Sequence, residues 1–163
     1  MTNTIGILPA LGEQAVIGEY EVKIQRRFEG REGTGFDATL IRNGVTVADV
    51  NQRGDGGGTW ARFYDKQEHA DFDAYIALYT WTWGAEFGEA FNYDEESVLD
   101  LLASEAIELK RMNASKKTYV KRAGHVYAYA FNVDKGATAL PATFVQVLKR
   151  GDQFWNKEQW VAV

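Results

Sequence analysis

Four groups of residues have the types and spacing from which chemistry or contact could be built. The first is Asn51-Gln52-Arg53-Gly54-Asp55-Gly56-Gly57-Gly58-Thr59. Glycine backbone is costly to order, so four glycines in so short a stretch call for a use. Exposed N–H groups there could cradle an anion such as a nucleotide phosphate. The contact residues would be Arg53, Asp55, Gly56, Gly57 and Gly58. The stretch lacks the Lys-Ser/Thr ending of a P-loop and lies between two expected strands, not before a helix. The competing expectation is a flexible connection between strands. Arg53-Gly54-Asp55 is too short a match to read as an adhesion motif.

The second is Glu105. At helical spacing it falls near the centre of an apolar stripe made by Val98, Leu101, Leu102, Leu109 and Met112. A buried carboxyl could act as a general acid or base with a raised pKa. The commoner arrangement pairs it with an arginine, here Arg26 or Arg42, and that pairing is the expectation. The third group is aromatic: Tyr79, Trp81, Trp83, Phe87, Phe91 and Tyr93, with Trp60 upstream. Core packing accounts for Tyr79 and Trp83. Trp60, Trp81 and Phe87 remain as surface candidates of the kind that anchors protein interfaces or stacks on bases. The fourth is the segment 110–122, with Lys110, Arg111, Lys116, Lys117, Lys121 and Arg122 and no acid among them. A helix C-terminus favours the first two. Lys116, Lys117, Tyr119, Lys121 and Arg122 could grip a phosphate backbone or an acidic protein patch.

Other chemistries find little support. The chain has no cysteine and only two histidines, His69 and His125. This excludes disulfides, thiolate metal sites and cysteine nucleophiles, and argues against a multi-histidine metal centre. Both histidines read as ordinary surface or packing residues. Ser97, Ser104 and Ser115 lack a His–Asp context. Asp71, Asp73, Glu95 and Glu96 sit where helix starts attract acids, without the spacing of a metal loop. Neither a cofactor nor a metal is implied, and nothing requires an enzyme. No apolar run approaches the roughly 20 residues of a membrane helix, and the start of the chain lacks a signal-peptide pattern. The expectation is a soluble, cytoplasmic protein. At 163 residues it has the length of one domain, and its net charge of −5 disfavours nonspecific nucleic-acid binding by the whole surface.

The elements that must position these residues follow from periodicity. Residues 1–18 read as an arm, and 19–163 as a single α+β domain. Tyr20–Phe28 alternates as a half-buried strand. Phe36–Arg42 and Val45–Val50 flank Asn43-Gly44, a pair suited to a type I′ hairpin turn. Leu40 and Val47 would form a buried cross-strand pair. Thr59–Tyr64 completes an antiparallel meander. Asp65 with Glu68 resembles a capping box opening a helix over 66–83. Asp94 can cap a second helix that ends at Asn113-Ala114-Ser115. Lys117–Arg122 and His125–Phe131 read as a hairpin, Leu140-Pro141 as the start of a short helix through Leu148, and Phe154–Val161 as a final strand.

Ala38–Val50, the glycine stretch Gly54–Gly58, Lys116–Arg122 and Phe154–Lys157 together resemble a group of uncharacterised small proteins of bacteriophages and bacteria. The likeness covers about two thirds of the chain and carries no activity. It implies a small cytosolic accessory protein, phage-encoded. The resulting expectation is a non-enzymatic binding protein that inhibits or modulates a host factor or defence component by covering its surface. The alternatives are a nucleic-acid-binding module using residues 110–122 and, more weakly, nucleotide capture by the glycine loop.

Overall fold

A computed structural model describes residues 19–78, 80–81, 91–123 and 125–163. The fold is α+β, and the described chain groups into two compact units divided between Ile107 and Glu108. The expected arm, 1–18, lies outside the described residues. Among the described residues no helix is long and apolar enough to cross a membrane.

The first unit is built on the expected meander: β1 (Tyr20–Glu29), β2 (Thr34–Arg42), β3 (Val45–Gln52) and β4 (Trp60–Phe63), in that order and antiparallel. Alternation sends Tyr20, Val22, Phe36, Ala38, Leu40, Ala48 and Val50 to one buried face. Asn43 (φ 47°) and Gly44 (φ 83°) both take the left-handed backbone that the type I′ turn requires. Leu40, however, faces Ala48, while Ile41 faces Thr46. Val47 is the extra residue of a bulge and not the cross-strand partner of Leu40. Its carbonyl accepts instead from Tyr64 N–H (3.0 Å).

Helix α1 (Lys66–Ile76) starts where Asp65 accepts from the N–H groups of Gln67 and Glu68. Glu68 does not close a capping box. Its carboxylate accepts from Tyr20 Oη (2.9 Å) and pairs with Arg42 (3.2 Å). The helix ends at Ile76, short of the expected 83. In Thr80-Trp81-Thr82-Trp83, β-branched and aromatic residues alternate, which favours extended backbone. Thr80–Trp81 (β5) pairs with Phe91–Asn92 (β6). Tyr79, Trp83 and Phe87 lie outside the described residues. Helix α2 (Glu95–Ala114) begins at Asp94, which accepts from Ser97 N–H (2.8 Å), and ends as expected at Ser115. Phe72 and Ile76 of α1 and Val98, Leu99, Leu102 and Ala103 of α2 join the sheet residues in one core.

In the second unit the sheet order is β10-β9-β7-β8, all antiparallel, from β7 (Thr118–Arg122), β8 (His125–Tyr129), β9 (Gln153–Trp155) and β10 (Trp160–Ala162). The expected final strand is a hairpin. Asn156 Oδ1 accepts from Glu158 and Gln159 N–H, and Lys157 turns through φ 71°. Helix α3 is a single turn, Ala142–Val145, after Pro141. Val120, Phe131, Val133 and Phe154 form one core, with Phe144 stacked on Phe131 at 3.9 Å. Met112, Tyr119 and Trp155 form another.

Candidate binding face

The outer face of β1–β4 follows from the same alternation that builds the core. Residues between the buried positions point away from it, and pairing aligns them in rows. Arg26 faces Asp37, Asp37 faces Asn51, and Asn51 faces Trp60. In the next row Lys23 faces Thr39, Thr39 faces Asp49, and Asp49 faces Arg62. Trp60 is 45% exposed. It helps line a depression of about 390 Å³ together with Gln25, Thr39, Asp49, Asn51 and Arg62.

The polar groups around Trp60 hold one another in place. Asp37 receives Arg26 Nε (2.9 Å) and Nη2 (2.6 Å), and its other oxygen receives Asn51 Nδ2 (2.5 Å). Asp49 receives Tyr64 Oη (2.7 Å) and Arg62 Nη2 (2.6 Å). The Tyr64 hydroxyl and then the Arg62 guanidinium keep the Asp49 carboxyl below its ordinary range. Both carboxylates therefore have an arginine neutralising them. The face offers an aromatic surface among mutually hydrogen-bonded polar groups. Ordering these side chains beforehand lowers the entropy lost on association. Tyr64 is a second exposed aromatic.

The glycine stretch does not form an open anion cradle. Gly54 is buried with φ 68°, and a Cβ there would stand 2.5 Å from the Gly33 carbonyl oxygen and 2.8 Å from the Gly35 nitrogen. Its carbonyl accepts from Glu32 N–H (2.7 Å), so the loop is docked on the β1–β2 connection. Gly54 N–H donates to Gln52 Oε1 (2.6 Å) and Gly57 N–H to Asp55 Oδ1 (3.1 Å), while Gln52 Nε2 donates to the Gly57 carbonyl (2.7 Å). A Cβ on Gly56 would meet the Glu32 carboxylate, and one on Gly58 that of Glu96. At its end the buried Thr59 hydroxyl donates to Asp100. Two donors are thus engaged, and the Glu32 and Glu96 carboxylates beside the loop oppose a phosphate. The expected flexible connection is a tied loop, with Arg53 and Asp55 at its exposed surface.

The basic strand is largely committed to the second unit. Arg122 clamps Asp152, with Nε at 2.9 Å from Oδ1 and Nη2 at 2.6 Å from Oδ2. Asp152 is 1% exposed and also accepts from Lys149 N–H (2.8 Å). Tyr119 is buried beside Met112 and Trp155. Lys121 is half-buried with Nζ 4.9 Å from the centre of the Trp160 ring, and burial lowers its pKa. Of Lys116, Lys117, Tyr119, Lys121 and Arg122, the first two stand exposed.

Glu105 is buried, as its place on the stripe predicts, but neither expected partner is available. Arg26 is held by Asp37, and Arg42 by Glu19 (2.9 Å), Glu68 (3.2 Å) and Asp71 (3.0 Å). Among the described residues Glu105 Oε1 has no hydrogen-bond partner. Burial first, then the like charge of Glu21, pushes the carboxyl up to about 7. Phe87 lies outside the described residues, and Trp81 is placed only as backbone of β5.

Reading the sequence for runs of one residue type missed Asp37, Asp49, Asn51, Arg62 and Tyr64. Their signal was positional: apart from Tyr64 at its margin, each alternates with a core residue on a strand beside Trp60. Compared with known proteins, the chain matches no family model, no curated protein and no solved structure.

Proposed function

We propose that this chain is a non-enzymatic binding protein that covers a partner protein's surface with the outer face of β1–β4, using Trp60 as the anchor. The observation that carries the reading is Trp60 itself: a large aromatic left 45% exposed beside a depression whose polar walls pair with one another. Trp and Tyr surrounded by paired polar groups are the composition of interface hot spots. The phage setting implied by the resemblance would make the partner a host factor or defence component, and the mode of action inhibition by occlusion inside the cell. The nucleic-acid alternative retains Lys116 and Lys117 and is not favoured by the engaged Tyr119 and Arg122. Nucleotide capture is opposed by the carboxylates around the glycine loop.

The test is capture from bacterial lysate with the intact chain as bait, with and without nuclease. A single protein that survives nuclease and is lost with a Trp60→Ala bait supports the proposal. Truncating a hot-spot tryptophan should weaken binding by about thirtyfold or more. Equal recovery by both baits, or loss of every partner on nuclease treatment, overturns it.

A further inference from the structure

Elsewhere in the first unit, residues from both helices meet at one point. His69 lies in α1, Asp73 one turn later, and Glu95 at the first residue of α2. His69 Nε2 is 2.7 Å from Glu95 Oε2 and 3.9 Å from Asp73 Oδ1. One ligand atom from each residue lies within 4.8 Å of the other two. The imidazole is held flat against Phe63, with ring centres 4.3 Å apart and planes 11° apart. Stacking leaves the ring edge as the part free to serve the acids.

A histidine–glutamate hydrogen bond accounts for one of these contacts. Asp73 brings a second carboxylate toward the same nitrogen, its Oδ1 lying 3.9 Å away. The i,i+4 spacing keeps Asp73 and His69 on one helix face. Bonds of about 2.0–2.2 Å to a central ion would separate the ligand atoms by roughly 3–3.5 Å. The present distances bracket that range, so side-chain rotation suffices to reach it. The start of α2 is already served by the Asp94 cap, which takes the Ser97 N–H. His69 and Glu95 are half-buried and Asp73 is exposed, leaving the other coordination positions to water.

We propose that His69, Asp73 and Glu95 form a binding site for a divalent transition-metal ion. One imidazole and two carboxylates suit the Zn²⁺, Co²⁺ and Mn²⁺ class better than Ca²⁺ or Mg²⁺, which prefer oxygen alone. The protein would supply three ligands and solvent the rest. This inference is independent of the binding face.

The test uses the full chain at pH 7.5, titrated with Zn²⁺ by calorimetry and with Co²⁺ by visible absorption. The expected result is saturable one-to-one binding with Co²⁺ ligand-field bands. His69→Ala and Asp73→Asn should each weaken it at least about tenfold. Asp73→Asn leaves the His69–Glu95 pair in place, so its metal-free melting temperature should stay near that of the parent while metal binding falls. His125→Ala should change nothing. Unsaturable binding, or binding that both site variants retain, overturns the proposal.

Discussion

The outer face of the first sheet and the basic strand of the second unit share a composition, aromatic residues among charges, yet they reach opposite states. On β7, Arg122 is claimed by a carboxylate 30 residues away that is 1% exposed, and Tyr119 is packed into a core. On the first sheet the charges pair with close neighbours on the same surface, and Trp60 between them stays open. A cluster is available to a partner only if no distant buried group has claimed it. Pairing within the surface even helps, because it fixes the side chains without hiding the aromatic ring.

The buried Arg122–Asp152 pair is what sets β7 apart. Arg122→Ala leaves Asp152 buried without its counter-ion, so the melting temperature should fall on the order of 10 °C. A shift of only a degree or two would return β7 to the status of a free basic surface. Trp60→Ala should do the reverse: stability within about 0.5 kcal/mol of the parent in urea unfolding, with the loss confined to partner affinity. A substantial stability loss would mean that Trp60 is structural.

Glu105 separates burial from pairing. Below about pH 4.5 both folded and unfolded chains hold its proton. Above that the unfolded chain releases it first, so the group costs stability progressively up to about pH 7, where the folded form also ionises. Glu105→Gln should therefore stabilise the protein by about 3 kcal/mol at pH 8 and by very little at pH 4. An equal gain at both pH values would show that the carboxyl is not held protonated.

Gly54→Ala tests whether the glycine loop is tied or free. With φ 68° and the Gly33 carbonyl against it, the substitution should cost about 1–2 kcal/mol. Gly57→Ala, whose added Cβ meets only the Asp55 side chain at 3.1 Å, should cost less. Equal costs would contradict the docked loop. The smallest effect belongs to the double variant Lys116→Ala/Lys117→Ala, which should leave stability within about 0.5 kcal/mol and partner capture unchanged.

What was legible in the sequence was what local chemistry decides. Asn43-Gly44 announced its turn, Asp65 and Asp94 their helix starts, and the alternation from Tyr20 to Tyr64 the meander. The α+β class follows from these. The bulge at Val47 was hidden because either register keeps an apolar residue near Leu40. The early end of α1 was hidden because the aromatics beyond Ile76 fit a helical stripe as well as an alternating strand. Pairings across long separations were the hardest to read. Arg42 had several acids to choose from, and it engages Glu19, Glu68 and Asp71 and not Glu105. His69 and Glu95 are 26 residues apart, with no spacing rule to join them. Trp60 was visible as a candidate, but the paired acids that make it a site become apparent only once strands are in register.

The most direct test of the binding face places a photo-crosslinking phenylalanine analogue at position 64, replacing Tyr64 beside Trp60. A second chain carries it at position 117, replacing Lys117, and both are irradiated in bacterial cells. One discrete protein adduct should form at 64 and disappear with Trp60→Ala, with no matching adduct at 117. A discrete adduct at 117 with none at 64 would contradict the binding face.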